Sequence, residues 1–220
     1  MISKTEDSLG SYNEGEGMFE RYARQIIMPE IGKTGQEKLM ASHIMVAGVG
    51  GLGSFSSLYL AAIGIGCLTL IDSGSIAMSD LNRQVLYSPE TVGQPKVYVA
   101  EKKLREFNPD VVVETVFGEI TEESLSGRIS RVDAVVDATD NFKTRRILNR
   151  VCFRECVPLI YGGVSGLRGS VTTVLPGETP CLECYLPENG PTKPVPVLSA
   201  WWGRYSTRRP SPVRCGEVNV

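Results

Sequence analysis

Short apolar runs alternate along this chain with longer segments in which apolar and polar residues mix. The runs are rich in Val, Ile and Leu, and polar or glycine residues bound them. Such runs are typical of strands that are buried on both faces of a sheet. The predicted strands are residues 43–47, 67–71, 111–116, 133–137, 158–161 and 169–174.

The longer segments between these runs predict helices. Their positions are residues 19–27, 54–63, 96–107, 121–130 and 142–156. Thr121, followed by two acids, is a typical helix start. Strands that alternate with helices indicate parallel pairing, so the fold class is α/β, with an open, doubly wound and mostly parallel sheet. A ligand is expected beyond the carboxyl ends of the strands.

Residues 44–71 contain no charged residue, and a stretch of this length raises the question of a membrane span. Six glycines interrupt it, so a strand, a turn, a helix and a second strand explain it better. The first ten residues, MISKTEDSLG, lack the pattern of a signal peptide. We therefore expect a cytoplasmic protein with no membrane partner.

The composition is that of an ordinary globular protein of one domain with appendages. The chain has 220 residues, of which 42% are hydrophobic and 22% are charged. A formal net charge of -2 argues against a protein that is held mainly by nucleic-acid phosphates. No nucleic-acid partner is expected.

A glycine motif, G-x-G-x-x-G, lies between the first predicted strand and the next helix. It contains Gly48, Gly50, Gly51 and Gly53. Glycines permit a tight turn and a close approach of backbone to phosphate, and the helix N-terminus adds free N–H donors. Asp72 ends the second strand, where an acid accepts hydrogen bonds from ribose. The motif predicts a Rossmann-like nucleotide-binding loop but does not separate NAD, FAD and ATP, and a glycine turn that only serves packing is the alternative.

Polar residues near the predicted strand ends favour ATP among these nucleotides. Arg83 and Lys96 are suited to phosphates, and Asn82 to a sugar or phosphate oxygen. Asp140, which Asn141 follows, ends the fourth strand, where a carboxylate holds Mg²⁺ that bridges phosphates. Hydride transfer needs no such set, whereas phosphoryl or nucleotidyl transfer does. The alternatives are solvated surface charges for Arg83 and Lys96, and a helix N-cap for Asp140.

Taken together, these motifs resemble the MoeB/ThiF/HesA family, which is similar to the adenylation domain of ubiquitin-activating enzymes. The resemblance covers residues 19–186. It rests on RYARQI at 21–26, the glycine loop, Asp72, DLNRQ at 80–84, GQPK at 93–96, TDN at 139–141 and C-x-x-C at 181–184. Residues 1–17 are rich in Ser, Gly and acids, which predicts a mobile tail. The resemblance implies an adenylation domain over residues 18–186, and residues 187–220 form an irregular segment that is truncated or atypical for the family.

The resemblance implies a role for each matching residue. Gly51 would lie against the ATP phosphates and Asp72 against ribose. Asn82, Arg83 and Lys96 would bind phosphate, and Asp140 would hold magnesium. In a homodimer, Arg24 would reach the nucleotide of the other subunit.

The family's reaction implies partners as well. The C-terminal glycine carboxylate of a ubiquitin-like carrier protein ending in Gly-Gly is adenylated by ATP with Mg²⁺. A sulfur donor such as a cysteine desulfurase or a rhodanese then supplies sulfur for molybdopterin, thiamine or a related compound. A tRNA-bound carboxylate as acceptor, a nicotinamide-dependent oxidoreductase and a non-catalytic nucleotide-binding relative stay open as alternatives.

Cysteines give two further candidate sites. Cys181 and Cys184 have the spacing of half a zinc site, and Zn²⁺ needs two more ligands there. Cys215 lies where family members often carry a cysteine that links covalently to the carrier, although the residues around it match poorly. Three groups are interpreted as structural, namely Cys67, the helical pair Cys152 and Cys156, and His43, the single histidine of the chain.

Overall fold

The computed structural model describes residues 19–184. In this part of the chain the strands are β1 (His43–Ala47), β2 (Cys67–Asp72), β3 (Val112–Phe117), β4 (Ala134–Asp137), β5 (Leu159–Ser165) and β6 (Arg168–Val174). The α-helices are α1 (Ala23–Ile26), α2 (Gly32–Ala41), α3 (Gly51–Ala62), α4 (Lys96–Phe107), α5 (Glu122–Leu125) and α6 (Phe142–Arg154). Short 3-10 helices lie at Met78–Asp80, Pro89–Thr91, Ile129–Arg131 and Leu182–Cys184.

The strands form one six-stranded sheet in the order β3-β2-β1-β4-β5-β6. All neighbours pair in parallel except β5 and β6, which form an antiparallel hairpin. The order reverses between β1 and β4, so the loops after these two strands part and leave a crevice at the carboxyl edge. The predicted α/β, doubly wound and mostly parallel sheet is confirmed.

An apolar core fills each face of the sheet, as parallel pairing requires. On one face Val46 and Leu70 pack with Leu104 of α4 and Ala61 of α3. The opposite face carries a second cluster that includes Met45, Ile71, Leu125, Leu148 and Val151. Consecutive residues of a strand point to opposite faces, so β1 and β2 supply both cores.

Two predicted helices are shorter than expected. In place of a helix over residues 121–130, α5 ends at Leu125, because Ser126 is extended at φ -56° and ψ 131° and Gly127 has a positive φ of 68°. A 3-10 helix then completes the crossover. Near the start of the described chain, a turn at 21–22 interrupts the helix expected over residues 19–27. The predicted N-cap at Thr121 is confirmed, since its hydroxyl accepts from the Ser124 N–H at 3.1 Å.

The pattern did not reveal α2, whose sequence GKTGQEKLMA has two glycines and few apolar residues. Its buried residue is polar: Gln36 is fully buried and hydrogen-bonds through its side chain to Gln25 and to the Ile63 carbonyl. Strand β5 also runs beyond its predicted end at residue 161, through two glycines.

Several expectations fall on parts of the chain outside residues 19–184. These are the tail over residues 1–17, the segment over 187–220 and Cys215. Across the residues that the structure does describe, no helix combines the length and apolar character needed to cross a bilayer.

Candidate functional site

A cavity of about 1190 Å³ opens at the carboxyl edge of the sheet, where the ligand is expected. The loops after β1, β2 and β4 form its walls, together with β5 and β6 on one side. Most of the predicted nucleotide-binding residues line it, namely Gly48, Gly50, Gly51, Asp72, Arg83, Lys96, Asp140 and Asn141. Gly53, Asn82 and Arg24 are not among its lining residues.

The glycine loop brings backbone close to this cavity. Gly48 has a φ of 85°, and a Cβ there would lie 3.0 Å from the Ala138 carbonyl oxygen of the neighbouring β4 loop. A Cβ on Gly53 would lie 1.8 Å from the Gly48 carbonyl oxygen, so this glycine serves packing. Gly50 and Gly51 face the cavity at the N-terminus of α3, which no side chain caps. The first N–H groups of the helix are therefore available to bind an anion in the cavity.

Asp72, at the end of β2, joins two of the loops. Its carboxylate accepts the Val49 N–H at 2.7 Å and the Gly74 N–H at 2.6 Å. Each carboxylate oxygen keeps a further lone pair. Asp72 thus fixes the glycine loop and also presents acceptor capacity to the cavity.

Asp80 holds the two cations of the cavity wall. Its Oδ2 lies 3.3 Å from Lys96 Nζ, and its Oδ1 lies 3.2 Å from Arg83 Nη2. The Ala77 N–H and the Gln84 side-chain amide also donate to this carboxylate. Burial by itself raises the pKa of Asp80, but the Ala77 N–H, Lys96 and Arg83 outweigh it and leave the pKa below its ordinary value. Asp80 is therefore ionised at neutral pH.

Arg83 is oriented by its own loop. Its Nη1 donates to the Ser79 carbonyl at 2.7 Å and to the Asn82 side-chain oxygen at 3.1 Å. Asn82 is exposed and supports Arg83 in this structure. The contact of Asn82 with phosphate stays a prediction.

A buried network shapes the loop after β4. Arg145 donates to the Tyr161 hydroxyl at 2.7 Å, to the Thr139 carbonyl at 2.5 Å and to the Gly162 carbonyl at 3.1 Å. Its Nε lies 4.0 Å from a carboxylate oxygen of Asp137, which is fully buried. Burial raises the pKa of Asp137, although hydrogen bonds from Thr139 and the charge of Arg145 oppose this. The network ties β4, β5 and α6 together, and Thr139, Arg145 and Tyr161 form part of the cavity wall.

Asp140 and Asn141 have different roles at the start of α6: Asn141 caps the helix, and Asp140 lines the cavity. The N-cap is Asn141, whose side-chain oxygen accepts the Thr144 N–H at 2.9 Å. The alternative interpretation of Asp140 as that N-cap is therefore wrong. Asp140 is exposed, and the Asn141 amide donates to its carboxylate at 3.5 Å. Its carboxylate oxygens are open to the cavity.

Arg24 lies at the other edge of the sheet. Its neighbour Gln25 donates to the Ile63 carbonyl at 2.9 Å, at the C-terminus of α3. The 12-residue α3 is about 18 Å long and begins at the glycine loop. Arg24 is exposed there and does not reach the cavity of its own chain.

The predicted half zinc site lies away from the cavity too. Cys181 precedes the 3-10 helix Leu182–Cys184, and Cys184 ends it. Leu182 is buried, and its N–H donates to the Asn149 side chain of α6. Neither cysteine lines the cavity. Of the two cysteines predicted on one helix, Cys152 is buried as expected. Cys156 lies beyond the end of α6 at Arg154, and the prediction of a core position for it is wrong, because it is exposed with a φ of 55°.

Sequence reasoning missed the residues that hold the site together. Asp80 was part of the quoted motif but received no role. Arg145 and Asp137 were not singled out. A charged residue within an otherwise apolar strand or on the inner side of a helix is the signal that points to such a network.

The chain has relatives of known family. Residues 22–201 match the family model described as "ThiF family". The vegetative HesA protein of Trichormus variabilis is 42% identical over 169 residues, a match that covers 77% of this chain and 64% of that protein. The sulfur carrier protein ThiS adenylyltransferase of Escherichia coli is 37% identical over 172 residues, with 78% and 68% covered.

A solved structure shares the fold. The crystal structure of E. coli MccB with ATP matches with a TM-score of 0.63 at 31% identity, covering 70% of this chain and 46% of that chain. This chain therefore spans less than two thirds of the length of the HesA relative and about half of MccB. Because the family model matches most of its residues, the chain belongs to the ThiF family.

Proposed function

We propose that this chain catalyses the ATP-dependent adenylation of the C-terminal glycine carboxylate of a ubiquitin-like sulfur-carrier protein. Membership of the ThiF family and the likeness to a ThiS adenylyltransferase support this activity. The observation that carries the proposal is the Asp80 cluster, which fixes Arg83 and Lys96 in the same cavity as the glycine loop.

The cavity suits a nucleoside triphosphate better than a redox cofactor. The N-terminus of α3 offers N–H donors, and Arg83 and Lys96 offer two positive charges. A triphosphate brings enough negative charge to meet both, whereas hydride transfer leaves the two cations without a role. The solved relative that contains ATP agrees with this choice.

The proposed chemical step is nucleotidyl transfer. An oxygen of the carrier's terminal carboxylate attacks the α-phosphorus of ATP, and a new carboxyl oxygen–phosphorus bond forms. The bond between that phosphorus and the bridging oxygen to the β-phosphate breaks, and its electron pair leaves with pyrophosphate. Arg83 and Lys96, whose positions Asp80 fixes before ATP binds, stabilise the charge that develops on the phosphates.

The residues present fit one magnesium ion but only half of a zinc site. Asp140 presents an exposed carboxylate at the cavity, and Mg²⁺ is usually held by one or two carboxylates together with substrate phosphates. When bound, Mg²⁺ would neutralise phosphate charge. A structural zinc site needs four ligands, and within residues 19–184 the 181–184 pair supplies two, so no step depends on zinc.

The partners follow from the same proposal. Arg24, at the opposite edge of the sheet, serves the cavity of a second copy in a homodimer. The adenylated carrier then receives sulfur from a donor such as a cysteine desulfurase or a rhodanese. The product feeds the synthesis of molybdopterin, thiamine or a related thio-compound.

ATP–pyrophosphate exchange against a panel of small proteins ending in Gly-Gly tests the proposal. One carrier is expected to support exchange, and Arg83→Ala and Asp140→Ala are each expected to lower the rate by about 10²-fold or more. Arg128→Ala and Asp110→Ala remove exposed charges away from the cavity and serve as controls. Unchanged exchange in both site variants would remove the assignment of these residues. Nucleotide binding without exchange for any carrier would favour a non-catalytic relative.

A further inference from the structure

Three metal-ligating side chains meet on one face of the sheet, away from the cavity. His43 begins β1 and Cys67 begins β2, and the two residues are direct partners in the parallel ladder. Glu114 of β3 is the partner of Thr69, two residues after Cys67. Residues two apart in a strand share a face, so all three side chains project to the same side.

The ligand atoms of these residues are close together. A ring nitrogen of His43, the Cys67 sulfur and a Glu114 carboxylate oxygen lie within 4.8 Å of one another. Within residues 19–184 this is the one set of three or more His, Cys, Asp or Glu residues that converges in this way. His43 and Cys67 are half-buried and Glu114 is exposed, so the cluster is open to solvent on the β3 side.

Thr69 lies within the cluster and positions two of its members. Its hydroxyl is 2.8 Å from His43 Nε2 and donates to Glu114 Oε2 at 3.3 Å. Thr69 is buried, so this geometry is held by the sheet. A simple hydrogen-bonded chain of histidine, threonine and glutamate is the competing explanation, and the Cys67 thiol has no part in it.

We propose that His43, Cys67 and Glu114 bind a zinc ion through one nitrogen, one sulfur and one oxygen, with a water as fourth ligand. Zinc accepts all three donor types, and three protein ligands with one open position are typical of its non-structural sites. Zinc–ligand bonds of about 2.0–2.3 Å place tetrahedral ligands roughly 3–4 Å apart. The proposal requires side-chain rotations that bring the three atoms from within 4.8 Å of one another to that distance.

The site is separate from the adenylation cavity. His43 and Cys67 are the first residues of their strands, whereas Asp72 is the last residue of β2 and the glycine loop follows the last residue of β1. The thiol proton of Cys67 is released to solvent when the metal–sulfur bond forms. Zinc bound here would link β1, β2 and the edge strand β3 and so stabilise the sheet.

Cobalt substitution in the full chain tests the site independently of adenylation. Cys181, Cys184 and Cys215 are first changed to Ser so that their thiols cannot contribute. One equivalent of Co²⁺ is then expected to give a thiolate-to-cobalt charge-transfer band, which Zn²⁺ abolishes by displacement. Cys67→Ser removes the band. Cys156→Ser, which changes an exposed thiol elsewhere, keeps it.

A second variant protects the test against misfolding. Glu114 is exposed, so Glu114→Gln keeps the fold, and the dissociation constant for Zn²⁺ measured against a chelator is expected to rise at least about tenfold. Zinc should raise the melting temperature of the triple-serine chain and leave that of its Cys67→Ser form unchanged. A charge-transfer band that survives Cys67→Ser, or no band in the triple-serine chain, would overturn the proposal.

Discussion

At the level of single residues, Asp80 explains how the positively charged side chains of Arg83 and Lys96 can lie close together in the cavity before a ligand binds. Arg83 and Lys96 would repel each other without an anion between them. The Asp80 carboxylate lies within 3.3 Å of both and is itself fixed by the Ala77 N–H. The two side chains therefore lose little freedom when a triphosphate binds.

The low pKa of Asp80 makes its contribution to stability depend on pH. Its folded-state pKa lies below the unfolded value of 3.8, so the ionised form stabilises the fold above that pH. This stabilisation is lost as the pH falls through the folded pKa. Asp80→Asn is expected to lower the free energy of unfolding by about 1–2 kcal/mol at neutral pH, because hydrogen bonds to a charge are lost.

Urea denaturation of both proteins at neutral pH and well below pH 3.8 measures this effect. The difference between parent and Asp80→Asn should shrink in acid. An equal difference at both pH values would show that the carboxylate charge has no part in the stabilisation. Glu37→Gln, at an exposed carboxyl of α2, is the matched control.

The sequence could indicate which residue types gather at the site, but not which residue organises them. Arg83, Lys96 and Asp140 stand near predicted strand ends, so their meeting at one edge followed from parallel topology. The partners of Asp80 span residues 77–96, and their contacts depend on the path of an irregular loop. The periodicity of apolar residues gives no information on the path of such a loop, so the role of Asp80 could be recognised only from the structure.

At the scale of elements, the glycine motif contains residues with different tasks. Gly53 is needed where α3 crosses the loop, because a Cβ would overlap the Gly48 carbonyl oxygen. Gly50 faces the cavity, and the nearest atom to a Cβ there is Gln84 Nε2 at 3.8 Å. The motif alone does not distinguish its glycines. In the structure, Gly53 is required for packing and Gly50 faces the cavity.

Two alanine substitutions should separate these tasks. Gly53→Ala is expected to destabilise the fold by about 1–3 kcal/mol or more, because the helix must move away from the loop. Gly50→Ala is expected to leave the melting temperature nearly unchanged and to weaken ATP binding, since its methyl group occupies the space of a phosphate. Thermal unfolding and calorimetric titration with ATP measure both effects. Equal losses of stability in the two variants would contradict this division.

The elements themselves were predictable where apolar residues repeat with a clear period. Strands β1, β2 and β4 are fixed by burial on two faces, whereas β3 and β6 are largely exposed. The strand bounds agree with the prediction to within one residue except at the end of β5. Helix α2 was not predicted, because its buried contact is made by the side-chain amide of Gln36 and an apolar pattern does not reveal such a contact. The prediction of a helix over residues 121–130 was wrong beyond residue 125, because the chain turns at 126–127.

At the level of the whole molecule, the position of Arg24 determines whether a complete nucleotide site needs one chain or two. Its neighbour Gln25 is hydrogen-bonded to the C-terminal end of α3, a helix about 18 Å long that begins at the glycine loop. If Arg24 contacts nucleotide, the contact belongs to the cavity of another copy. A two-fold symmetric dimer would then contain two sites, each completed by the partner's arginine.

Complementation between two inactive variants tests this arrangement. Arg24→Ala and Asp140→Ala homodimers should each lose exchange activity. In their mixed dimer, one cavity combines an intact Asp140 with an intact Arg24. Mixing equal amounts should therefore restore roughly a quarter of the parent rate, because half of the dimers mix and each has one intact site. No recovery after verified subunit exchange would place Arg24 outside the site.

The proposed adenylation requires that the cavity at the carboxyl edge of the sheet hold a triphosphate between the glycine loop and the cations bound to Asp80. A crystal structure of the chain with ATP and magnesium tests it most directly. We predict phosphate oxygens against the N-terminus of α3 and within hydrogen-bond distance of Arg83 and Lys96, with the metal ion at Asp140. A cavity without nucleotide under saturating ATP, or a nucleotide bound elsewhere on the chain, would contradict the account.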